Sequence, residues 1–149
     1  LVARKGRFMS LVVPNTADIL MLQYIVNMIA QDGGAAPVGG ERLLRLYTNN
    51  LTPGKNTVIG DITEATEAGY AAITLAGASW TTTSILGVNS ATYSEQTFTF
   101  TAAVTAYGYY ITTTEVTPNL LWVERFSDGP YTLPAGGGDI AITPRLTLN

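Results

Sequence analysis

The stretch Gln96-Thr-Phe-Thr-Phe-Thr-Ala-Ala-Val-Thr-Ala-Tyr-Gly-Tyr-Tyr110 decides the fold. Its even positions run Phe98, Phe100, Ala102, Val104, Ala106, Gly108 and Tyr110, and Thr97, Thr99, Thr101 and Thr105 stand between them. A period of two over this length predicts a strand with one face on a core and one toward water. The same device returns at the end of the chain. Ile140, Ile142, Pro144, Leu146 and Leu148 share one face there, and Ala141, Thr143, Arg145 and Thr147 the other. Between the two runs, Leu120-Leu121-Trp122-Val123 is apolar on both faces, the pattern expected of a strand deep in the fold. Pro118-Asn119, Asp128-Gly129-Pro130 and Gly136-Gly137-Gly138-Asp139 punctuate these segments with turn chemistry.

Working upstream, Arg42–Thr48 has strand character, and Thr57–Ile59 reads as a short strand or edge. Tyr70–Leu75 and Ser79–Leu86 read as strands, with Trp80 as a core anchor, and Ser90–Ser94 as a turn. Asn15–Gln31 is the one long helical pattern. Pro14 leads into it, Asn15 or Thr16 can cap it, and Gly33-Gly34 end it. Only Gln23, Asn27 and Gln31 interrupt its apolar circumference, so such a helix must be covered on nearly every side. Residues 1–14 read as an extended arm and 15–149 as a single domain. About eight short β segments follow the helix, which predicts an antiparallel β-sandwich, with the jelly roll as one candidate form.

Composition narrows the function classes. The chain has 149 residues, is 46% hydrophobic and only 13% charged, and carries a net charge of −3. So little charge fits a surface largely hidden in an assembly, or a protein that works outside the cell. Arg4, Lys5 and Arg7 gather at the start and the balance beyond residue 8 is acidic, which argues against a nucleic-acid partner. The longest apolar segment, Ile19–Ala30, is too short to span a bilayer, so no membrane partner is expected. With neither Cys nor His, thiolate catalysis, Cys/His zinc sites and His-based triads are excluded.

The remaining candidates for chemistry are weak. Asp61, Glu64 and Glu67 stand three apart and could line one side of a helical turn as a cation site, though the segment lacks the tight Gly turn of a calcium loop. A solvated loop explains them more simply. Glu115 and Glu124 are the nearest thing to an acid/base pair, at strand ends. Tyr107, Tyr109 and Trp122 form a candidate ligand- or partner-facing aromatic group, for which carbohydrate is the one ligand class considered. No catalytic residue, cofactor or metal site is expected. The candidate subunit-interface residues are Phe8, Leu11 and Val13 of the arm and Ile19, Leu22, Ile25, Val26 and Ile29 of the helix.

Several segments in succession carry a resemblance. They are Met9-Ser-Leu-Val-Val-Pro-Asn15 before the helix, Leu44-Arg-Leu-Tyr-Thr-Asn-Asn50, Asp61-Ile-Thr-Glu-Ala-Thr66 and Gly69-Tyr70-Ala71. After them come Tyr107-Gly108-Tyr109, Leu120-Leu-Trp-Val-Glu-Arg-Phe126 and Gly138-Asp-Ile-Ala-Ile-Thr-Pro144. In this order they resemble small β-rich structural proteins of tailed bacteriophages. The resemblance implies a non-enzymatic virion component at the particle surface, assembled in the host cytoplasm. It further implies a capsid decoration (cement) protein, often trimeric, that contacts the major capsid protein. A tail-fibre or surface-filament subunit, binding a receptor or carbohydrate or donating a strand, stays open beside it.

Overall fold

The computed structural model describes residues 41–148 together with Ile19, Met21, Leu22, Gln23, Ile25 and Val26. The expected arm, with Phe8, Leu11 and Val13, lies outside the described residues, as does Ile29. The fold is mainly β and antiparallel. Its strands are β1 (Glu41–Tyr47), β2 (Ile73–Ala76), β3 (Thr81–Ile85), β4 (Val88–Thr92), β5 (Gln96–Phe100), β6 (Val104–Ala106), β7 (Gly108–Thr112), β8 (Leu120–Arg125), β9 (Tyr131–Leu133), β10 (Gly138–Ile142) and β11 (Arg145–Leu148).

The long alternating run is three strands, not one. It bends at Thr101–Ala103 and again at Tyr107, and its pieces join three different sheets. Thr and Ala at the first bend offer no large apolar group to hold a straight course. Gly108 follows the second, where Tyr47 lies so close that any Cβ would collide with its ring and with the Glu124 carbonyl.

Two bent ribbons organise the pairing. In the first, β5 pairs β10 from Phe98↔Ile140 to Gln96↔Ile142, and β4 then pairs β11 from Thr92↔Arg145 to Asn89↔Leu148. The corner between them slips by one residue and is pinned by Tyr93 N–H donating to Pro144 O at 2.9 Å. Pro144, which has no N–H to offer a ladder, sits at this corner. In the second, β7 pairs β8 and β6 pairs β9, with residues 126–130 inserted on one side and a cis Gly129–Pro130 bond among them. Contrary to the sequence expectation, Ser90 and Thr92 belong to a strand, and Thr57–Ile59 leads into a 3-10 turn at Ile59–Asp61.

The core gathers where the sheets meet. Leu44 and Leu46 on β1 stand opposite Ile111 and Tyr109 on β7, all buried, so these four side chains share one face. Phe98, Phe100, Ile140 and Ile142 on β5 and β10 join the same cluster. Aromatic contacts tie separate sheets together. Tyr70 stacks on Phe98 and Phe100 at 5.7 and 5.8 Å, and Trp80 meets Tyr93 and Trp122 edge-on at 5.2 and 5.7 Å. Trp80 is buried, in keeping with a core anchor.

Among the helical residues, Val26 N–H bonds Leu22 O at 3.0 Å, and both side chains are fully buried in the chain's own core. Ile19 and Ile25 are half-buried and Met21 is exposed. Arg42 Nε donates to Ile25 O at 2.7 Å and holds this turn at the start of β1.

Candidate functional site

Leu120–Val123 does not run through the middle of a sheet. Strand order β2-β1-β7-β8 puts β8 at the edge, and its residues are half-buried except for the exposed Glu124. Hydrophobic patterning counts faces and says nothing of a strand's place in the order, so an edge strand covered on both faces looks like a central one. That position makes β8 the centre of the candidate site.

On one face of β8 lies an open cleft of about 690 Å³, lined by Tyr109, Trp122, Val123, Glu124, Phe126 and Tyr131 and by the β10–β11 corner from Ala141 to Thr147. Phe126 and Tyr131 pack with ring centroids 4.7 Å apart, and Tyr109 lies 6.4 Å from Phe126. The Tyr109 hydroxyl donates to Glu124 Oε2 at 2.5 Å. Burial first, and then this carboxylate, raise the Tyr109 pKa above the ordinary tyrosine value. The phenol is therefore a fixed neutral donor at physiological pH. Glu124 Oε1 and the exposed Arg145 supply polar groups at the cleft. The Trp122 ring is held edge-on by Trp80.

A second groove, of about 370 Å³, separates Leu120–Val123 from the loop carrying Pro53, Gly54, Lys55 and Thr57. Arg125 anchors this loop by donating to Leu51 O at 2.7 Å.

The structure thus brings Tyr109 and Trp122 together and leaves Tyr107 apart. Tyr107 sits at the β6–β7 bend, where the Arg125 guanidinium covers its ring at 5.3 Å. Phe126, Tyr131 and Arg145 complete the cleft but were not singled out from sequence. Arg145, a lone cation in an otherwise uncharged alternating run, was the one available signal.

The other acidic candidates are used locally. Asp61 Oδ2 accepts from Val58 N–H at 3.0 Å, Glu67 Oε2 from Thr66 N–H at 2.9 Å, and Glu64 pairs with Arg45 at 2.6 Å. The three carboxylates do not share a helical turn, and among the described residues no group of three His, Cys, Asp or Glu could hold a metal ion. Glu115 accepts from Thr113 Oγ1 and Asn119 Nδ2 in the β7–β8 loop, at the opposite end of β8 from Glu124, so the two form no acid/base pair.

No family model, curated protein or solved structure matches this chain. Among the described residues, no helix is long and apolar enough to cross a membrane.

Proposed function

We propose that this chain is a non-enzymatic structural subunit of a virion, built as a β-sandwich and working by burying surface against its neighbours. Within that class it is a capsid decoration protein that forms homo-oligomers, trimers by preference, and contacts the major capsid protein. The supporting observation is the tip of the β3–β4 hairpin. Ile85, Leu86 and Val88 there are 66%, 100% and 38% exposed, in a segment from Thr81 to Ser94 without a single charged residue. Solvent offers such a tip nothing, whereas a neighbouring subunit buries it. The resemblance to phage structural proteins supplies the particle.

Two measurements test this reading. Light scattering after size exclusion should show an oligomer that Leu86→Asp weakens; a monomer at every concentration overturns the reading. Immunogold labelling of density-purified phage particles from the source culture should mark heads. Label on tails selects the fibre reading, and unlabelled particles overturn a virion role.

A second reading rests on the cleft. Aromatic walls with a few fixed polar groups suit a carbohydrate, whose apolar ring faces stack while its hydroxyls bond Glu124 and Arg145. A glycan array on the purified chain, with signal lost in Trp122→Ala and Tyr109→Ala, would support a receptor-binding fibre component.

A further inference from the structure

We propose that the free edge of β8 accepts a strand from a second copy of this chain, formed by its residues Phe8–Val13. This rests on the reading of the chain as an assembly subunit and names the surfaces that would join.

The first element is the edge itself. Phe126 N–H donates to Tyr107 O in the same register that pairs Tyr109 with Glu124. Backbone groups of an antiparallel strand alternate in direction, so those of residues 122, 124 and 126 turn toward β7 and those of Val123 and Arg125 turn outward. Neither outward pair has a backbone partner among the described residues. Natural edges are guarded by Lys, Pro or inward-pointing charge. β8 has no Lys and no Pro, and its two charges are occupied: Glu124 holds Tyr109, and Arg125 holds Leu51 O and covers Tyr107.

The second element is the pair of hollows. The cleft at Trp122–Glu124 and the groove at Leu120–Val123 both adjoin this edge and share Trp122 and Val123 in their linings. A strand added to that edge would gain affinity from main-chain hydrogen bonds and selectivity from side chains seated in these hollows.

The occupant is a short extended segment that is apolar on both faces. Phe8-Met-Ser-Leu-Val-Val13 has this pattern, with Phe8, Ser10 and Val12 on one side and Met9, Leu11 and Val13 on the other. Its six residues equal the length of β8, and Pro14 ends it. The basic Arg4, Lys5 and Arg7 precede it, and the rest of the chain is acidic on balance. A second copy, rather than the same molecule, follows from the assembly reading, and the experiment separates the two.

The chain lacks cysteine, so disulfide trapping has no background. Full-length Leu11→Cys and Val123→Cys variants, mixed under mild oxidation, should give a mixed disulfide dimer as the main product. The double variant should give crosslinked ladders. A ring closed within one molecule would overturn the proposal, as would no crosslink at all. Independently, Val123→Pro removes an outward N–H without touching the β7 ladder, and Leu11→Glu alters the donor and leaves the described core intact. Each should lower the association constant at least tenfold while thermal melting stays near that of the parent. If the parent oligomerises and both variants do so equally well, strand exchange fails while the assembly reading survives. A parent that is monomeric at all concentrations removes both.

Discussion

Tyr70 and Glu64 meet across a gap in the edge of β1, with the Tyr70 hydroxyl donating to Glu64 Oε1 at 2.9 Å. The same hydroxyl accepts from Leu46 N–H at 3.2 Å, and Glu64 Oε2 takes Arg45 Nη1 at 2.6 Å. Segment 63–65 pairs the end of β1 and β2 pairs its start, so Leu46 N–H falls between them and a side chain supplies what a strand would have. The Tyr70 ring meanwhile stacks on Phe98 and Phe100, so one residue closes an edge and joins two sheets. Tyr70→Phe keeps the stack and leaves Leu46 N–H unpaired. It should destabilise the fold by about 1–3 kcal/mol in urea unfolding.

Tyr47 gives the opposite expectation. Its hydroxyl is buried beside Gly108 without a hydrogen-bond partner. Removing an unsatisfied polar group relieves its desolvation, so Tyr47→Phe should be neutral or stabilising by up to about 1 kcal/mol. Parallel urea curves for the two Tyr→Phe variants test the contrast directly.

Alkali should unfold the chain steeply. Burial raises the pKa of Tyr70, Tyr109 and Tyr110, and the nearby carboxylates Glu64 and Glu124 add to it. Below about pH 10, where an unfolded tyrosine is still protonated, the stabilising effect is complete. Above it the unfolded chain releases protons that the folded chain keeps, so stability falls with rising pH, by at most about 1.4 kcal/mol per unit for each tyrosine. Tyrosinate absorbance and circular dichroism should show part of the phenolic ionisation coinciding with loss of β signal. Ionisation of all eight tyrosines with the fold intact would contradict it.

How far the chain could be read in advance follows from what periodicity measures. Alternation at Phe98–Phe100 and Ile140–Ile142 located core-facing positions, because burial on one face is local to a strand. It missed the bend at Tyr107, where even-numbered burial at Val104 and Ala106 gives way to burial of every residue from Gly108 to Thr112. Two sheets share that run, and a period cannot register a change of partner. For the site, Tyr109 and Trp122 were legible as members of one candidate aromatic group, and the β7–β8 pairing brings them together. Tyr131 and Arg145 were not, since they reach the cleft only through pairings between β6 and β9 and between β4 and β11.

The β3–β4 turn separates local stability from use. Leu86 and Gly87 join the two strands with φ of 50° and 81°, the two positive values of a type I′ turn. Gly accepts this geometry freely, whereas Leu meets a steric penalty of about 1–2 kcal/mol and, being fully exposed, recovers nothing by packing within the chain. Asn tolerates the left-handed region and is favoured at this position. Leu86→Asn should therefore raise stability by about 0.5–1 kcal/mol and lift the melting temperature by a few degrees. If the tip is a subunit contact, the same substitution should weaken the oligomer in light scattering as the isolated fold becomes stronger. A variant that is more stable and assembles as well as the parent would show that Leu86 is not part of the contact.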